Sequence, residues 1–278
     1  MPDSLTPPNP AARLHDRYRT AMPAPAAWSP VIDLLLQHRS IRAYRPDALP
    51  EGTLPALVAA AQSAATSSNL QTWSVIAVQD EARKARLAEF ANNQQHIRQA
   101  PLFLVWLADL SRAARIGEAA DQAMDALPFL ETFLVAVIDA ALAAQNATAA
   151  AESLGLGTVY IGAIRNRPEA VAAELQLPPG VMPVFGLCVG YPDPDAPPAS
   201  VKPRLPQPAI LHHETYSTAP EADLLVAYND ALRTFQAEQQ MPSQAWTDLI
   251  LGRLGTIKSL SGRDHLHAAL QIMGFELR

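Results

Sequence analysis

Short apolar runs alternate along the chain with longer segments of strong helix formers, a pattern that predicts strands and helices in turn. We expect strands at residues 73–79, 101–108, 158–164 and 184–191, with the first, second and fourth buried. We expect helices at residues 31–38, 53–64, 80–92, 129–154, 168–176, 221–239, 245–254 and 263–273. The interleaving predicts a fold with both kinds of element, but it does not give the order of the strands.

The longest apolar segment, residues 129–154, is expected to form one helix that ends at Gly155, whose freedom at positive φ suits a helix C-terminus. Its apolar content is typical of a membrane span. Four polar residues interrupt it, however, Asp139, Gln145, Asn146 and Glu152, and a charge near the centre of a bilayer costs about 3 kcal/mol. We therefore expect a central, buried helix whose surface suits a subunit interface.

Composition places the chain among ordinary globular proteins. Hydrophobic residues make up 49% and charged residues 17%, a balance that excludes a disordered chain. The net charge of -6 gives no general field to attract phosphate backbones or anionic lipid, so neither nucleic acid nor a membrane is an expected partner. Cys188 lies in an apolar run and is expected to be a core residue. No secretory leader is visible, so we expect a cytoplasmic protein.

The length of 278 residues fits one large domain or two small ones. We expect a single interlocked domain over residues 31–278, including a C-terminal helical segment. Residues 1–30, rich in proline and alanine, are expected to be an extension that is partly ordered at best. Within it, residues 13–20 could form one or two helical turns.

Three familiar signals are absent or weak. Gly155, Gly157 and Gly162 do not have the spacing of a dinucleotide fingerprint and follow a helix rather than a strand. The histidines at 212–213 and at 265 and 267 have no accompanying set of ligands with metal spacing, so we expect solvent-facing side chains and no metal site. No Gly-x-Ser-x-Gly turn surrounds a serine, so an acyl-enzyme mechanism has no support.

A dense set of hydrogen-bond donors lies at residues 38–42, where a predicted apolar helix ends. His38, Arg39 and Arg42 can give charge-assisted bonds to phosphate oxygens, and the Ser40 hydroxyl adds a neutral donor. The same residues would also suit an ordinary basic helix C-terminus, where the helix dipole favours cations. The pentapeptide alone does not decide between the two interpretations.

Two further polar segments offer groups that suit a ligand. Residues 66–71 lie between an apolar helix and a strand and supply hydroxyls and amides, although on their own they would equally suit a loop of helix-stopping residues. Lys202 and Arg204 are alternate residues of a rigid, proline-rich stretch, so both side chains can face the same side. Spacing alone does not show whether the three polar segments meet in space.

The ordered set of segments resembles the oxygen-insensitive nitroreductases, in particular the branch of NADPH-dependent nitroreductases and flavin reductases. The matching segments are HRSIR at 38–42, ATSSNLQ at 65–71, AQNA at 144–147, ESLGLGTVYIG at 152–162, FGLCVGYP at 185–192 and KPRLP at 202–206. Each segment alone is weak, but together they are specific, and the resemblance extends over about residues 28–216.

The resemblance implies an α+β fold, with a mixed sheet surrounded by helices, in an interlocked homodimer that holds two FMN sites at the subunit interface. It assigns contacts with FMN to fourteen positions. These are His38, Arg39, Ser40, Arg42, Thr66, Ser67, Ser68, Gln94, Tyr160, Ile161, Gly162, Ala163, Lys202 and Arg204. Ala163 stands where the family usually has glycine.

The resemblance also implies the chemistry, in which FMN transfers hydride while the protein supplies orientation and charge. Arg42 faces the flavin edge that gains negative charge on reduction, and His38, Ser40, Lys202 and Arg204 hold the phosphate. Electrons pass from NADPH or NADH to nitro or quinone compounds with ping-pong kinetics. No side-chain acid or base is required, so no catalytic residue is assigned. A flavin reductase and a non-catalytic flavin-binding protein are the alternatives.

The choice of nicotinamide cofactor depends on the loop after the helix 221–239, which in the family carries arginines for the 2′-phosphate of NADPH. Here residues 237–246 contain no Lys or Arg and one acidic residue, Glu238. An inward-pointing Glu238 would oppose the phosphate. We expect NADPH to be the donor and NADH also to support turnover, unless Arg233, Arg253 or Lys258 replaces the missing cations.

Overall fold

A computed structural model describes residues 9–23 and 25–278. In chain order, the helices are α1 (Pro10–Tyr18), α2 (Pro30–Leu36), α3 (Thr53–Gln62), α4 (Glu81–Phe90), α5 (Gln95–Gln99), α6 (Ser111–Ala119), α7 (Leu130–Ser153), α8 (Pro168–Glu174), α9 (Glu221–Glu238), α10 (Trp246–Leu254) and α11 (Leu266–Ile272). The strands are β1 (Trp73–Val78), β2 (Leu102–Asp109), β3 (Gly157–Ile161) and β4 (Val181–Gly190). The α+β class is confirmed.

The described chain falls into two compact units. The first takes the described residues up to Arg39 together with Pro198–Leu260, and contains α1, α2, α9 and α10. The second takes Ser40–Pro197 and Ser261–Arg278, and contains the sheet and the other helices. A single domain over residues 31–278 stays a prediction. Of the predicted extension, residues 1–8 and 24 lie outside the described residues.

The sheet has the strand order β1-β2-β4-β3, and every neighbouring pair is antiparallel. All eight residues of β2 are buried, as predicted for a strand covered on both faces. The predicted burial of the first strand is wrong, because β1 forms an edge of the sheet and most of its residues are half-buried. The third strand is shorter than predicted, since a 3-10 helix, Gly162–Asn166, follows Ile161 directly.

The segment before Tyr44 runs beside β3 and gives the sheet its only parallel contact among the described strands and bridges. Ser40 forms a parallel bridge with Thr158, and the Ile41 amide donates to the Thr158 carbonyl at 2.9 Å. Gly157 allows this close approach, since a Cβ there would lie 2.6 Å from an Ile41 side-chain carbon. Residues 40–42 are therefore held along the outer edge of β3.

Helix α7 packs across the sheet through a stripe of small residues. Ala143, Ala144 and Ala147 are buried in one cluster with Trp106 of β2 and Leu187 of β4. By length and composition alone α7 could cross a membrane. Its contacts with β1 to β4 and with α3 are instead those of a core helix, as predicted. Cys188 is buried, also as predicted.

Local signals explain most boundaries. The Asp80 carboxylate accepts a hydrogen bond from the Arg83 amide at 2.7 Å and so caps the N-terminus of α4. Pro168 is the first residue of α8, a position that proline favours. Gly155 follows α7 with φ of 77°. Helix α1 begins earlier than the predicted turns at 13–20, because the Asn9 side chain accepts the Ala12 amide and a proline follows it. The last predicted helix opens as a 3-10 turn, Arg263–His265, before α11.

Candidate functional site

Four predicted site residues lie in the first unit, in two segments that contact the same arginine of α1. His38 and Arg39 follow α2, and Lys202 and Arg204 lie in the loop before α9. The guanidinium of Arg17 donates to the carbonyls of Leu36 (2.8 Å), His38 (2.9 Å) and Lys202 (3.0 Å). Sequence reasoning missed this arginine, which lies in the predicted extension and carries no local signal of its role.

In the second unit, Arg42 and Gln94 are brought together through His96. The Nε2 atom of His96 lies 2.9 Å from the Gln94 side-chain oxygen, a hydrogen-bond distance. Burial lowers the pKa of His96, and the positive charge of Arg42 lowers it further. Arg42 itself is exposed. This part of the second unit therefore has one permanently charged group, Arg42, beside His96, whose lowered pKa favours the neutral imidazole.

Four more predicted site residues are consecutive in the chain at the end of β3 and just after it, from Tyr160 to Ala163. The Tyr160 side chain points into the fold, where its hydroxyl lies 3.0 Å from Thr148 Oγ1 and its ring packs edge-on against Phe185. Burial raises the pKa of the Tyr160 phenol. The hydroxyl and ring of the half-buried Tyr160 are therefore already engaged within the fold. A Cβ at Gly162 would meet no atom closer than 3.6 Å, so packing within the chain does not require glycine there.

The 3-10 helix after β3 is tied to the turn before Gln94. The Asn166 side chain donates to the Asn92 side-chain oxygen at 3.1 Å. Asn92 and Asn93 both have positive φ, of 59° and 57°, a conformation that asparagine tolerates better than most residues. Gln94 thus lies in a turn whose position is fixed relative to the end of β3.

The serine-rich loop, residues 66–71, is held by a buried carboxyl group on α7. Asp139 is 1% exposed, and its oxygens accept the amide of Ser67 (3.1 Å) and both the amide and the hydroxyl of Thr72 (3.3 Å each). Between these two residues, Ser68 has φ of 49°. The sequence showed Asp139 only as an interruption of an apolar helix; its role is to fix the backbone that carries Thr66, Ser67 and Ser68.

We expect Asp139→Asn to loosen this loop. The asparagine side chain would turn its NH2 group, a donor, toward a backbone N–H, which is also a donor. The two cannot form a hydrogen bond, and an unpaired buried donor costs about 1 to 3 kcal/mol. The free energy of unfolding in urea should fall by that amount, and amide exchange at residues 67–72 should accelerate. Glu131→Asp, an exposed change that keeps the favourable negative charge in the first turn of the same helix, should alter stability by no more than about 0.5 kcal/mol. Equal stabilities for the two variants would contradict the assignment.

A cavity of about 1070 Å³ lies beside the cations of the first unit. Lys202 and Arg204 line it together with Tyr228, Phe235 and Trp246. A concave apolar surface with a few charged groups is typical of sites for small organic molecules.

Within residues 9–23 and 25–278, no group of three or more His, Cys, Asp or Glu side chains could hold a metal ion.

The structure thus defines an α+β protein with cationic and hydroxyl-rich segments held on buried anchors. Two models of the nitroreductase family match the chain: the nitroreductase family itself at residues 35–191, and its C-terminal domain at residues 202–278. The chain belongs to the nitroreductase family.

Curated relatives agree with this membership. An "FMN reductase [NAD(P)H]" of Bacillus subtilis is 42% identical over 207 residues, which cover 74% of this chain and 82% of the relative. An "oxygen-insensitive NADPH nitroreductase" of Salmonella typhimurium is 39% identical over 226 residues, covering 80% of this chain and 90% of the relative.

Solved structures resemble the whole fold. The hypothetical oxidoreductase YcnD of Bacillus subtilis has a TM-score of 0.85 at 37% identity, covering 90% of this chain and 100% of its own. An NADPH:FMN oxidoreductase from Vibrio harveyi, complexed with NAD+, has a TM-score of 0.79 at 32% identity, with coverages of 90% and 100%.

Proposed function

We propose that the chain is an FMN-dependent oxidoreductase that takes electrons from NADPH or NADH and passes them to small nitro, quinone or similar acceptors. The proposal rests on one observation: side chains that suit a phosphate lie on backbone segments that Arg17 holds in place. The exposed Lys202 and Arg204 and the half-buried His38 sit on backbone that Arg17 holds. Family membership and the names of the relatives supply the flavin and the reaction class.

The donors fit a phosphorylated flavin. Lys202 and Arg204 provide charge for a phosphate, with His38, Arg39 and Ser40 as further donors. The remaining residues are assigned to the ring and its linker. They are Arg42, Thr66, Ser67, Ser68, Gln94, Tyr160, Ile161, Gly162 and Ala163. Since the Tyr160 hydroxyl and ring already have partners inside the fold, we assign its contribution to the backbone.

Bound FMN supplies the hydride chemistry, and the side chains supply orientation and charge. Arg42 would hold a permanent positive charge beside the edge of the flavin that becomes negative on reduction, and that charge would favour the reduced state. His96 is disposed to stay neutral beside it, so Arg42 is the cation at this position. No side-chain acid or base is assigned to the reaction.

A flavin reductase that delivers reduced flavin is the second candidate function, favoured by relatives whose names are FMN reductases. A non-catalytic flavin-binding protein is the third. Purified protein should be yellow, and anaerobic NADPH or NADH should bleach the flavin within one turnover. A yellow protein that neither nucleotide bleaches would support the binding protein, and a colourless protein that binds no added FMN would refute all three.

A cytoplasmic homodimer belongs to the same proposal. Helix α7 exposes Leu134, Ile138 and Leu142, each four residues from the next and each 44–55% exposed. Such a stripe is a surface that another protein chain commonly covers. Sedimentation equilibrium should give twice the chain mass, and a monomer at micromolar concentration would refute the dimer.

We expect the preference for NADPH over NADH to stay below about a hundredfold in kcat/KM, near 2.7 kcal/mol. The loop 237–246 has no cation, and its Glu238 pairs with Arg19 at 2.7 Å. Arg233 pairs with Asp230, and the Arg253 guanidinium donates to a backbone carbonyl. These arginines are therefore already engaged. A larger preference, measured at matched conditions for both nucleotides, would indicate that Lys258 or another residue outside these arginines binds the 2′-phosphate.

A further inference from the structure

The N-terminal helix α1 contributes an arginine that is almost fully buried. Arg17 is 6% exposed, and both terminal nitrogens of its guanidinium donate to backbone carbonyls. Two of the acceptors, Leu36 and His38, lie at the C-terminal end of α2, where the last carbonyls of a helix have no intrahelical partner. Arg17 therefore caps α2 at the point where the chain continues into His38 and Arg39.

The same arginine also fixes the second cationic segment. Arg17 Nη1 donates to the Lys202 carbonyl at 3.0 Å, and the Arg17 carbonyl accepts the Arg204 amide at 2.9 Å. Between them Pro203 is buried, and its carbonyl accepts the Tyr228 hydroxyl at 3.0 Å. Three consecutive residues are thus held by backbone contacts, while the side chains of Lys202 and Arg204 stay exposed.

Arg17 fixes the relative positions of the carbonyls that it binds. A guanidinium offers five donors in a rigid fork, so one side chain can bind several carbonyls in a fixed relative position. These three partners are main-chain carbonyls, and the side chains of Lys202 and Arg204 are exposed beside them. Groups that are held in place before a ligand arrives lose less conformational entropy on binding it.

We propose that Arg17 is a positioning residue for the phosphate-binding side chains, and that α1 is a working part of the cofactor site. The inference rests on the proposed binding of FMN. Arg17 does not touch the phosphate; it holds the segment of His38 and Arg39 and the segment of Lys202 and Arg204 on one helix. Its loss should weaken the grip on a phosphorylated flavin and leave contacts with the ring unchanged.

The test compares FMN with riboflavin, which has the same ring but lacks the phosphate. Full-length protein freed of flavin is titrated with each compound, and binding is followed by quenching of flavin fluorescence. In Arg17→Met, which keeps an unbranched side chain at this buried position, the ratio of FMN affinity to riboflavin affinity should fall at least tenfold. Riboflavin affinity itself should change less than twofold. His15→Ala, an exposed change on the same helix, should leave the ratio as in the parent.

Each outcome separates the inference from the proposed function. A folded Arg17→Met with the parent ratio would overturn the positioning role while FMN binding stands. A parent protein that binds FMN no better than riboflavin would overturn the proposed phosphate site and the inference with it. Equal losses for both flavins would indicate a general structural role and would also overturn the inference.

A conservative variant covers the case in which Arg17→Met does not fold. Arg17→Lys keeps the charge, but all its donors are on one nitrogen, whereas Arg17 uses two separate nitrogens. The affinity ratio should fall by about threefold or more, less than in Arg17→Met. An unchanged ratio in folded Arg17→Lys would refute the proposal without the first variant.

Discussion

The Arg204→Ala variant is expected to purify pale and to bind FMN about ten- to a hundredfold more weakly than the parent. Arg204 is exposed, and its main-chain amide is held by Arg17, so removing the side chain leaves the loop anchored. Arg204 Nη1 also donates weakly, at 3.4 Å, to the carbonyls of Lys202 and Pro203, but Arg17 and Tyr228 bind the same carbonyls without it. The main lost interaction is then a charge-assisted hydrogen bond to phosphate, about 1.5 to 3 kcal/mol. The dissociation constant, measured by fluorescence titration of the flavin-free protein, gives the effect directly.

A matched control separates this contact from a general loss of positive charge. Arg83→Ala removes an exposed guanidinium whose partner, Glu174, keeps its pair with Arg86. It should retain FMN as the parent does. If Arg204→Ala also retains FMN at parent affinity, the assignment of Arg204 to the phosphate is wrong.

The Arg42→Ala variant is expected to lower the reduction potential of bound FMN by at least about 30 mV and to slow reduction by the nucleotide. A fixed positive charge stabilises the reduced flavin, and 30 mV corresponds to about 1.4 kcal/mol for a two-electron couple. The potential should be measured in FMN-saturated protein against a reference dye. Arg45→Ala removes an exposed arginine that pairs with Asp47; its potential should stay within about 10 mV of the parent, one third of the 30 mV threshold.

The pH of the Arg42 experiment matters because His96 responds to the same substitution. Burial and the charge of Arg42 both lower the His96 pKa, burial more strongly. Without Arg42 that pKa should rise toward its usual value near 6.5, so more of the imidazole is protonated in mildly acidic solution. A protonated His96 would restore part of the missing charge. Measured at pH 8, where the imidazole is neutral, an unchanged potential would refute the electrostatic role of Arg42.

Local signals made most of the fold predictable. The carboxylate of Asp80, the proline at 168 and the glycine at 155 mark helix ends through interactions with neighbouring residues, and the structure has all three boundaries. Helices α5 and α6 were missed, since α5 is five residues long and α6 is polar, with few apolar residues to mark a period.

The anchors of the candidate site were harder to predict, for a physical reason. Asp139 meets Thr72 across 67 positions of the chain, and Arg17 meets Lys202 across 185. Both bind mainly main-chain atoms, which do not depend on the residue type, and the one side-chain partner among these contacts, the Thr72 hydroxyl, is too common a group to mark the pair. The exposed donors of the site follow a pattern that a family resemblance can find; the buried groups that hold them do not.

The separation between Arg17 and Lys202 also sets an order of events during synthesis. Ribosomes add about 5 to 20 residues per second, so Arg17 is incorporated roughly 10 to 40 s before Lys202. During that interval the guanidinium can reach the carbonyls that end α2, but not the loop that carries Lys202 and Arg204. The two cationic segments can share their helix only late in translation. Any capture of a phosphorylated ligand that needs both segments must therefore wait until Lys202 and Arg204 have been made.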